Sequence, residues 1–477
     1  MSLRVRIAIV TAVFSAASAA RAGGNFVGDP GSQGTQRAGA FVARADDPTA
    51  LWYNPAGLAG LRRSALHLGV ALVGFAQRFT RDGVYAGAAP WSGQPYPTVA
   101  HAGGPQAVPI AVLAVPIGGV TWAAGLLAPQ GYGSRSFPTV MPDGAPDPAR
   151  YDTIEQRGLV ALPSIGAAIR RGRLRLGARL SWGIAQIHSV SAGQGLRNAE
   201  EDPDRDVTST IDGTDRFVPA AGLGLQLDLG GGVTLAAAWT SPLGVRTHGT
   251  THSVAGPTVA VPPAPIADAQ ARCARGGTTA ALAACVSFNL PQTATAALRW
   301  SSARADGRET SDLELDVRWE NWREARDTVI VVDGIDPISG MPLPASVSRH
   351  GLVDVWSVRV GGSHTLRAAP IALRAGVAWD SAAAPSSWRR LDLDGSARLT
   401  LAAGIGLRLG KVAIDLGGAR LISPDVHVID QPASTPPIQP DVPVPLAEPD
   451  AQPRHPFNAG RYAGGYWIVT TGMTVSW

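Results

Sequence analysis

Four groups of side chains have the types and spacing to do chemistry. The two cysteines, Cys273 and Cys285, form a close pair. In an exported chain such a pair reads as a disulfide closing a loop. His248 and His252 stand four apart, but no third ligand is evident, so no metal site is expected. The glycine loop GDPGSQGT lacks the Lys-Ser/Thr of a phosphate-binding loop. The last group is charged. Arg179, Arg359, Arg374, Arg398 and Arg408 could grip a carboxylate with a bidentate guanidinium. They could equally pair with Asp312, Glu314, Asp316 and Asp415 and stiffen a wall. There is no G-x-S-x-G elbow and no H-E-x-x-H. No catalytic set emerges, so neither an enzyme nor a cofactor is expected.

The charged residues fall at alternate positions, and strands place alternate side chains on opposite faces. In 398–409, Leu399, Leu401, Ala403, Ile405, Leu407 and Leu409 share one face; Arg398, Thr400, Gly404, Gly406 and Arg408 share the other. In 173–184 the apolar face carries Leu174, Leu176, Leu180, Trp182 and Ile184. In 312–320 Leu313, Leu315, Val317 and Trp319 oppose Asp312, Glu314, Asp316, Arg318 and Glu320. A charged face of this kind must meet water or partners and not lipid. About fourteen such segments follow one another between residues 64 and 477. Tight turns such as Gly230-Gly231-Gly232 alternate with long polar connections, among them 193–213, 252–284 and the Pro-rich 431–456. Short turns on one side and long loops on the other mark a transmembrane β-barrel. Prolines 109, 163, 219 and 291 are read as strand starts on the long-loop side, since proline cannot donate to a ladder.

Composition agrees. Charged residues make up 16% of the 477, and no stretch after residue 22 has 18 uninterrupted apolar residues, so no spanning helix is indicated. The net charge of +4 is spread along the chain and makes no nucleic-acid surface. Residues 1–22 read as an export signal: Arg4 and Arg6, an apolar run from Ile7 to Phe14, then Ala20-Arg21-Ala22 as a cleavage site.

Between signal and strands lies an unpatterned stretch, residues 23–61, ending in ADDPTALWYNPAGLAGL. Asn54-Pro55-Ala56 followed by Gly57 is good turn chemistry. Asp46 and Asp47 are placed to cap a short helix. The stretch is read as a plug in two parts: a flexible 23–44 and an anchored 45–61.

These residues carry a resemblance. ADDPTALWYNPAGLAGL is similar to the hatch segment of the outer-membrane long-chain fatty acid transporter family, which includes aromatic-hydrocarbon channels of the TodX type. LPSIGAAI, RLGARLSWG, TSPLGVRTHG, LPQTATAALRW, ELDVRWENW and VWSVRVGGSH are weaker, collinear matches. The resemblance implies an all-β, fourteen-stranded barrel over residues 62–477, monomeric, in the outer membrane of a Gram-negative cell among its lipid and lipopolysaccharide. It implies an N-terminal hatch over 23–61 fixed at Asn54, Pro55 and Ala56, and passive uptake of a hydrophobic molecule. A final strand with apolar residues at alternate positions, ending in Trp477, resembles the signal read by the barrel assembly machinery.

Overall fold

The chain is described from a computed structural model covering residues 31–477 apart from 86–88, 129–133, 195–201, 258–265, 269–271, 274–276, 279–280, 304–308, 326, 336–339, 394 and 430–456. The export signal, residues 23–30 and the Pro-rich 431–456 lie outside the described residues.

Fourteen antiparallel strands close on themselves. They are β1 (Ala65–Arg81), β2 (Gln106–Ile117), β3 (Val120–Leu127), β4 (Glu155–Arg171), β5 (Leu174–Gln194), β6 (Asp206–Gly230) and β7 (Val233–Thr240). Then come β8 (Thr293–Ala303), β9 (Glu309–Glu320), β10 (Val355–Thr365), β11 (Ile371–Asp380), β12 (Arg398–Leu409), β13 (Val412–Ile422) and β14 (Gly460–Ser476). Closure runs through β1, which pairs with β2 on one side and, from Ala65↔Ser476 to Arg81↔Gly460, with β14 on the other. The ring of strands is thereby complete, with every strand paired to a neighbour on each side over most of its length, as a spanning sheet requires. Two-residue turns at 118–119, 172–173, 231–232 and 410–411 close one end. Gly231 and Gly232 have φ of 62° and 81°, the left-handed geometry that matches strand twist in such turns.

The alternation read from the sequence holds. On β9, Asp312, Glu314 and Asp316 are buried inward while Leu313, Leu315 and Val317 are exposed outward. The outer face carries an aromatic girdle on the long-loop side: Trp239 and Trp319 both lie opposite Ala294, and Trp319 lies opposite Trp356. Trp467 and Trp477 mark the two rims on β14, ten residues apart. At roughly 3.3 Å per residue and a tilt near 40° this is about 25 Å, the height of an apolar membrane band.

Two expectations need correction. Residues 206–213 are strand, not loop, because β5 and β6 run past the girdle, hydrogen-bonded up to Gln194↔Asp206. The prolines do not all start strands. Pro109, Pro163 and Pro219 lie within β2, β4 and β6; pairing of β4 with β5 lapses at residues 162–163, and β5 against β6 is bulged between Gly183 and Ala185. Pro291 instead sits at a break, where Leu282–Leu290 ends and β8 begins. Near Pro163 and Pro219 the lapse and the bulge accommodate the missing donor without ending the strand, whereas Pro109 lies opposite Val70 in unbroken register. Arg408 stays on the inward row with Arg398, Thr400 and Gly406, exposed at its end beside the 410–411 turn.

His248 lies on the strand Leu243–Ala255, its Nδ1 2.7 Å from the Cys273 carbonyl oxygen. Cys273 and Cys285 are joined, with Cα atoms 5.3 Å apart. Among the described residues no group of three metal-ligating side chains occurs.

Candidate functional site

Residues 31–61 occupy the lumen. They comprise α1 (Ser32–Gln36), α2 (Ala50–Tyr53) and a 3-10 turn, Pro55–Gly60. These helices are too short to hold themselves in water. The wall holds them: Phe41, Leu51, Asn54, Ala56 and Leu58 are fully buried.

Three anchors fix the segment. The first is charged. Arg37 Nη2 lies 2.8 Å from Asp312 and 3.2 Å from Glu314, with no side chain of the three exposed. Arg44 Nη1 lies 2.6 Å from Asp312, and Arg299 Nε donates to the same carboxylate at 3.0 Å. The carboxylates also hold backbone. Asp316 accepts from the N–H groups of Phe41 and Val42, and Glu314 from those of Ala43 and Arg44. Four consecutive donors that no helix or sheet satisfies thus end on two wall carboxylates.

The second anchor is Asn54. Its Oδ1 accepts from Ala56 N–H at 3.1 Å and starts the 3-10 turn. Its Nδ2 donates to the carbonyls of Val42 at 3.0 Å and Leu225 at 3.1 Å. One side chain therefore ties the turn, the preceding segment and β6. Pro55 stands at the first position of the turn, where no donor is needed.

The third anchor is close approach. Wall glycines face the segment where a Cβ would collide. At Gly177 it would lie 2.3 Å from the Pro55 carbonyl carbon, at Gly224 2.0 Å from Asn54 Oδ1, and at Gly376 2.2 Å from the Arg37 carbonyl carbon. Gln36 fits between Gly404 and Gly417, and its Oε1 accepts from Arg374, which also pairs with Asp415 at 2.6 Å.

Asn54, Pro55 and Ala56 thus come together with β5 and β6. Asp47 acts within the segment, its Oδ1 accepting from Thr49 N–H at 2.8 Å. The expected division into a flexible 23–44 and an anchored 45–61 is revised for 31–44: Arg37 and Phe41–Arg44 are as firmly bonded to the wall as Asn54. Arg37, Arg44, Gln36 and Gln226 were not singled out from the sequence. The usable signal was lone charged and amide residues in a small-residue leader, opposite strands whose inward face alternates glycine with charge. Arg179 is buried against the segment, 5.0 Å over the Trp52 ring. Arg374 and Arg398 pair with acids, the latter with Asp380 at 3.5 Å.

Beside α1 the lumen holds a small cavity of about 30 Å³, lined by Thr35, Ala38, Ala378, Leu421 and Ile468 with Arg318, Arg359 and Asp380. The wall beside β3 is uneven. β3 ends at Leu127, opposite Leu162, and among the described residues no strand pairs with 157–161 on that side. Gln106 Nε2 reaches Gly158 O across this place at 3.5 Å.

A closed, lipid-faced barrel with a filled lumen defines the class: an outer-membrane β-barrel. No protein-family model and no curated protein matches the chain. Solved structures match in fold. A FadL homologue from Pseudomonas aeruginosa is 15% identical, with a TM-score of 0.72, over 95% of this chain and 99% of its own. The toluene transporter TodX of P. putida is 12% identical, TM-score 0.61, over 94% and 99%. The toluene transporter TbuX of Ralstonia pickettii is 13% identical, TM-score 0.61, over 94% and 98%. The chain has the fold of these FadL-like channels.

Proposed function

We propose that the protein is a passive channel for hydrophobic molecules, closed by residues 23–61 acting as a hatch. The observation that carries this is the buried anchoring of 31–61 to inward carboxylates and glycines in a barrel of FadL-like fold. A water-filled porin would leave that space open. The hatch motif is Asn54-Pro55-Ala56, and Cys273–Cys285 ties a long-loop-side segment. A molecule captured among the extracellular loops reaches the lumen when residues 31–61 move aside. The physical gain is that an apolar solute avoids the polar layer outside the membrane.

The cavity beside α1 holds about 30 Å³ and suits a long-chain fatty acid or similar amphiphile only once residues 31–61 move aside and widen it. Its floor is apolar, and its rim carries Arg318, Arg359 and nearby Arg398 against Glu320 and Asp380, an excess of one cation. Aromatic hydrocarbons are the second reading, supported by the named toluene transporters of the same fold. The short β3 supports a sideways exit through the wall. Uptake of labelled oleate and toluene by cells with and without the protein tests the proposal. Dependence of either uptake on the protein supports it. If hydrophilic solutes pass while neither hydrophobe does, it fails.

A further inference from the structure

We propose that the outer wall at β1 and β14, just beyond the aromatic girdle, is a binding surface for the phosphoryl groups of an outer-leaflet glycolipid. The inference rests on the outer-membrane placement above. Up the outside of β1 the residues are Leu66, Leu68, Val70, Leu72, Gly74 and Ala76, all apolar. The next is Arg78. Up the outside of β14 the sequence from the short-turn rim is Val475, Met473, Thr471, Val469 and Trp467, and two small residues later comes Arg461. On both strands charge begins only above Trp467.

The register brings the two cations together. Arg78 lies opposite Ala463 and Thr80 opposite Arg461, so the arginines are diagonal neighbours on one face. Such pairs sit about 7–8 Å apart, close enough for two guanidiniums to hold one phosphoryl group. The row continues sideways: Thr98 lies opposite Thr80, and His427 opposite Arg461. These residues line one groove with Arg78. The opposite face of the same rows is Phe79, Val99, Tyr462 and Val428, all buried, so the row cannot turn inward.

Two facts separate this patch from ordinary surface charge. Among the described residues neither arginine makes an ion pair, whereas outward Arg157 pairs with Glu155. The acids present are engaged or marginal: Asp82 accepts from His427 at 2.6 Å, and Asp425 lies at the groove edge. Unpaired cations at a lipid boundary attract anionic head groups, and guanidinium suits phosphate geometry.

The test uses the full-length protein in detergent with added hexa-acyl lipopolysaccharide, its phosphate-free form, or inorganic phosphate. Native mass spectrometry reads bound glycolipid, and heat-modifiable mobility on gels reports a folded barrel. Wild type is expected to retain the phosphorylated glycolipid at least ten times better than the phosphate-free form, and R78A/R461A to lose that preference while staying folded. Inorganic phosphate alone is expected to leave thermal stability unchanged. Equal retention by the double variant, equal retention of the phosphate-free form, or equal stabilisation by inorganic phosphate overturns the proposal. R157A serves as a control expected to behave as wild type. Oleate and toluene uptake is scored separately, so failure of the transport reading shows as lost uptake dependence with glycolipid binding intact.

Discussion

Arg37 and Asp312 meet at 2.8 Å with neither side chain exposed, 275 residues apart in the chain. This contact ties the segment 31–44 to the wall. Removing one member of a buried pair leaves an uncompensated charge and costs about 3–5 kcal/mol. Asp312 keeps Arg44 and Arg299 in Arg37→Ala, so the loss falls on Glu314, left with the Ala43 and Arg44 N–H groups alone, and on the Gly361 carbonyl, and the cost belongs at the low end of that range. The expected outcome is a loosened 31–61 segment in an intact barrel. Planar-bilayer conductance should rise and proteolysis within 31–44 should quicken. Unchanged conductance with a normally folded barrel would argue that the segment does not gate.

Asn54 predicts a second, separable loss. Asn54→Ala leaves the Val42 and Leu225 carbonyls and the Ala56 N–H without their partners. Each buried orphan costs about 1–3 kcal/mol. Asn54→Asp keeps the Ala56 cap but sets a carboxylate oxygen against the Val42 and Leu225 carbonyls in a buried site, so it should cost at least as much as Asn54→Ala. Gly224→Ala attacks the same seat from the wall, where its Cβ would sit 2.0 Å from Asn54 Oδ1. All three should release residues 50–60 to hydrogen exchange. If Gly224→Ala leaves that protection unchanged, the seat is not where the hatch is held.

How far the sequence shows this depends on range. Strand alternation is local, so the inward Asp312-Glu314-Asp316 row and the outward Ile405 row could be read directly. The turn at Asn54-Pro55 was equally local. What could not be read is which inward acids meet which hatch donors, because Arg37 and Asp312 are brought together only by closure of the barrel. The inward glycines showed in the pattern, but their role needs the opposing chain: Gly177 is a weak strand residue until Pro55 lies against it. The strand extensions beyond the girdle were missed for a similar reason. Polar residues such as Thr208, Thr210 and Asp212 carry no apolar period, and pairing with β5 holds them extended.

The loops on the long-loop side carry a pH dependence. Burial pushes the Asp147 carboxyl up to about 7 and that of Asp152 up to about 6, the latter despite Arg390 3.1 Å away. A carboxyl in an unfolded loop titrates near 3.9. Between about pH 4 and 7 the folded loops therefore hold protons that opened loops release, so loop stability falls as pH rises through this window. Protection factors of residues 147–152, corrected for intrinsic exchange, should be higher at pH 5 than at pH 8. Asp147→Asn should flatten that difference most, since Asp147 Oδ1 needs only to accept from Ala149 N–H. A rise in protection toward pH 8 in the wild type would contradict the assignment.

The lipid-facing side gives the last prediction. Ile405 is half-exposed on the outside of β12, opposite Leu373 on one neighbour and Leu416 on the other. It lies midway between Leu399, level with girdle Trp379, and the turn at 410–411. If this face meets hydrocarbon, Ile405→Arg should cost about 2–4 kcal/mol, as arginine does near a bilayer midplane. Ile405→Leu should cost little. The same arginine at Thr80, above the girdle beside Arg461, should be near neutral, within roughly 1 kcal/mol, because interfacial positions tolerate charge. Reversible unfolding from phospholipid vesicles measures both. The depth ordering is the diagnostic: equal costs at Ile405 and Thr80 would mean that the apolar band has been placed at the wrong height on the wall.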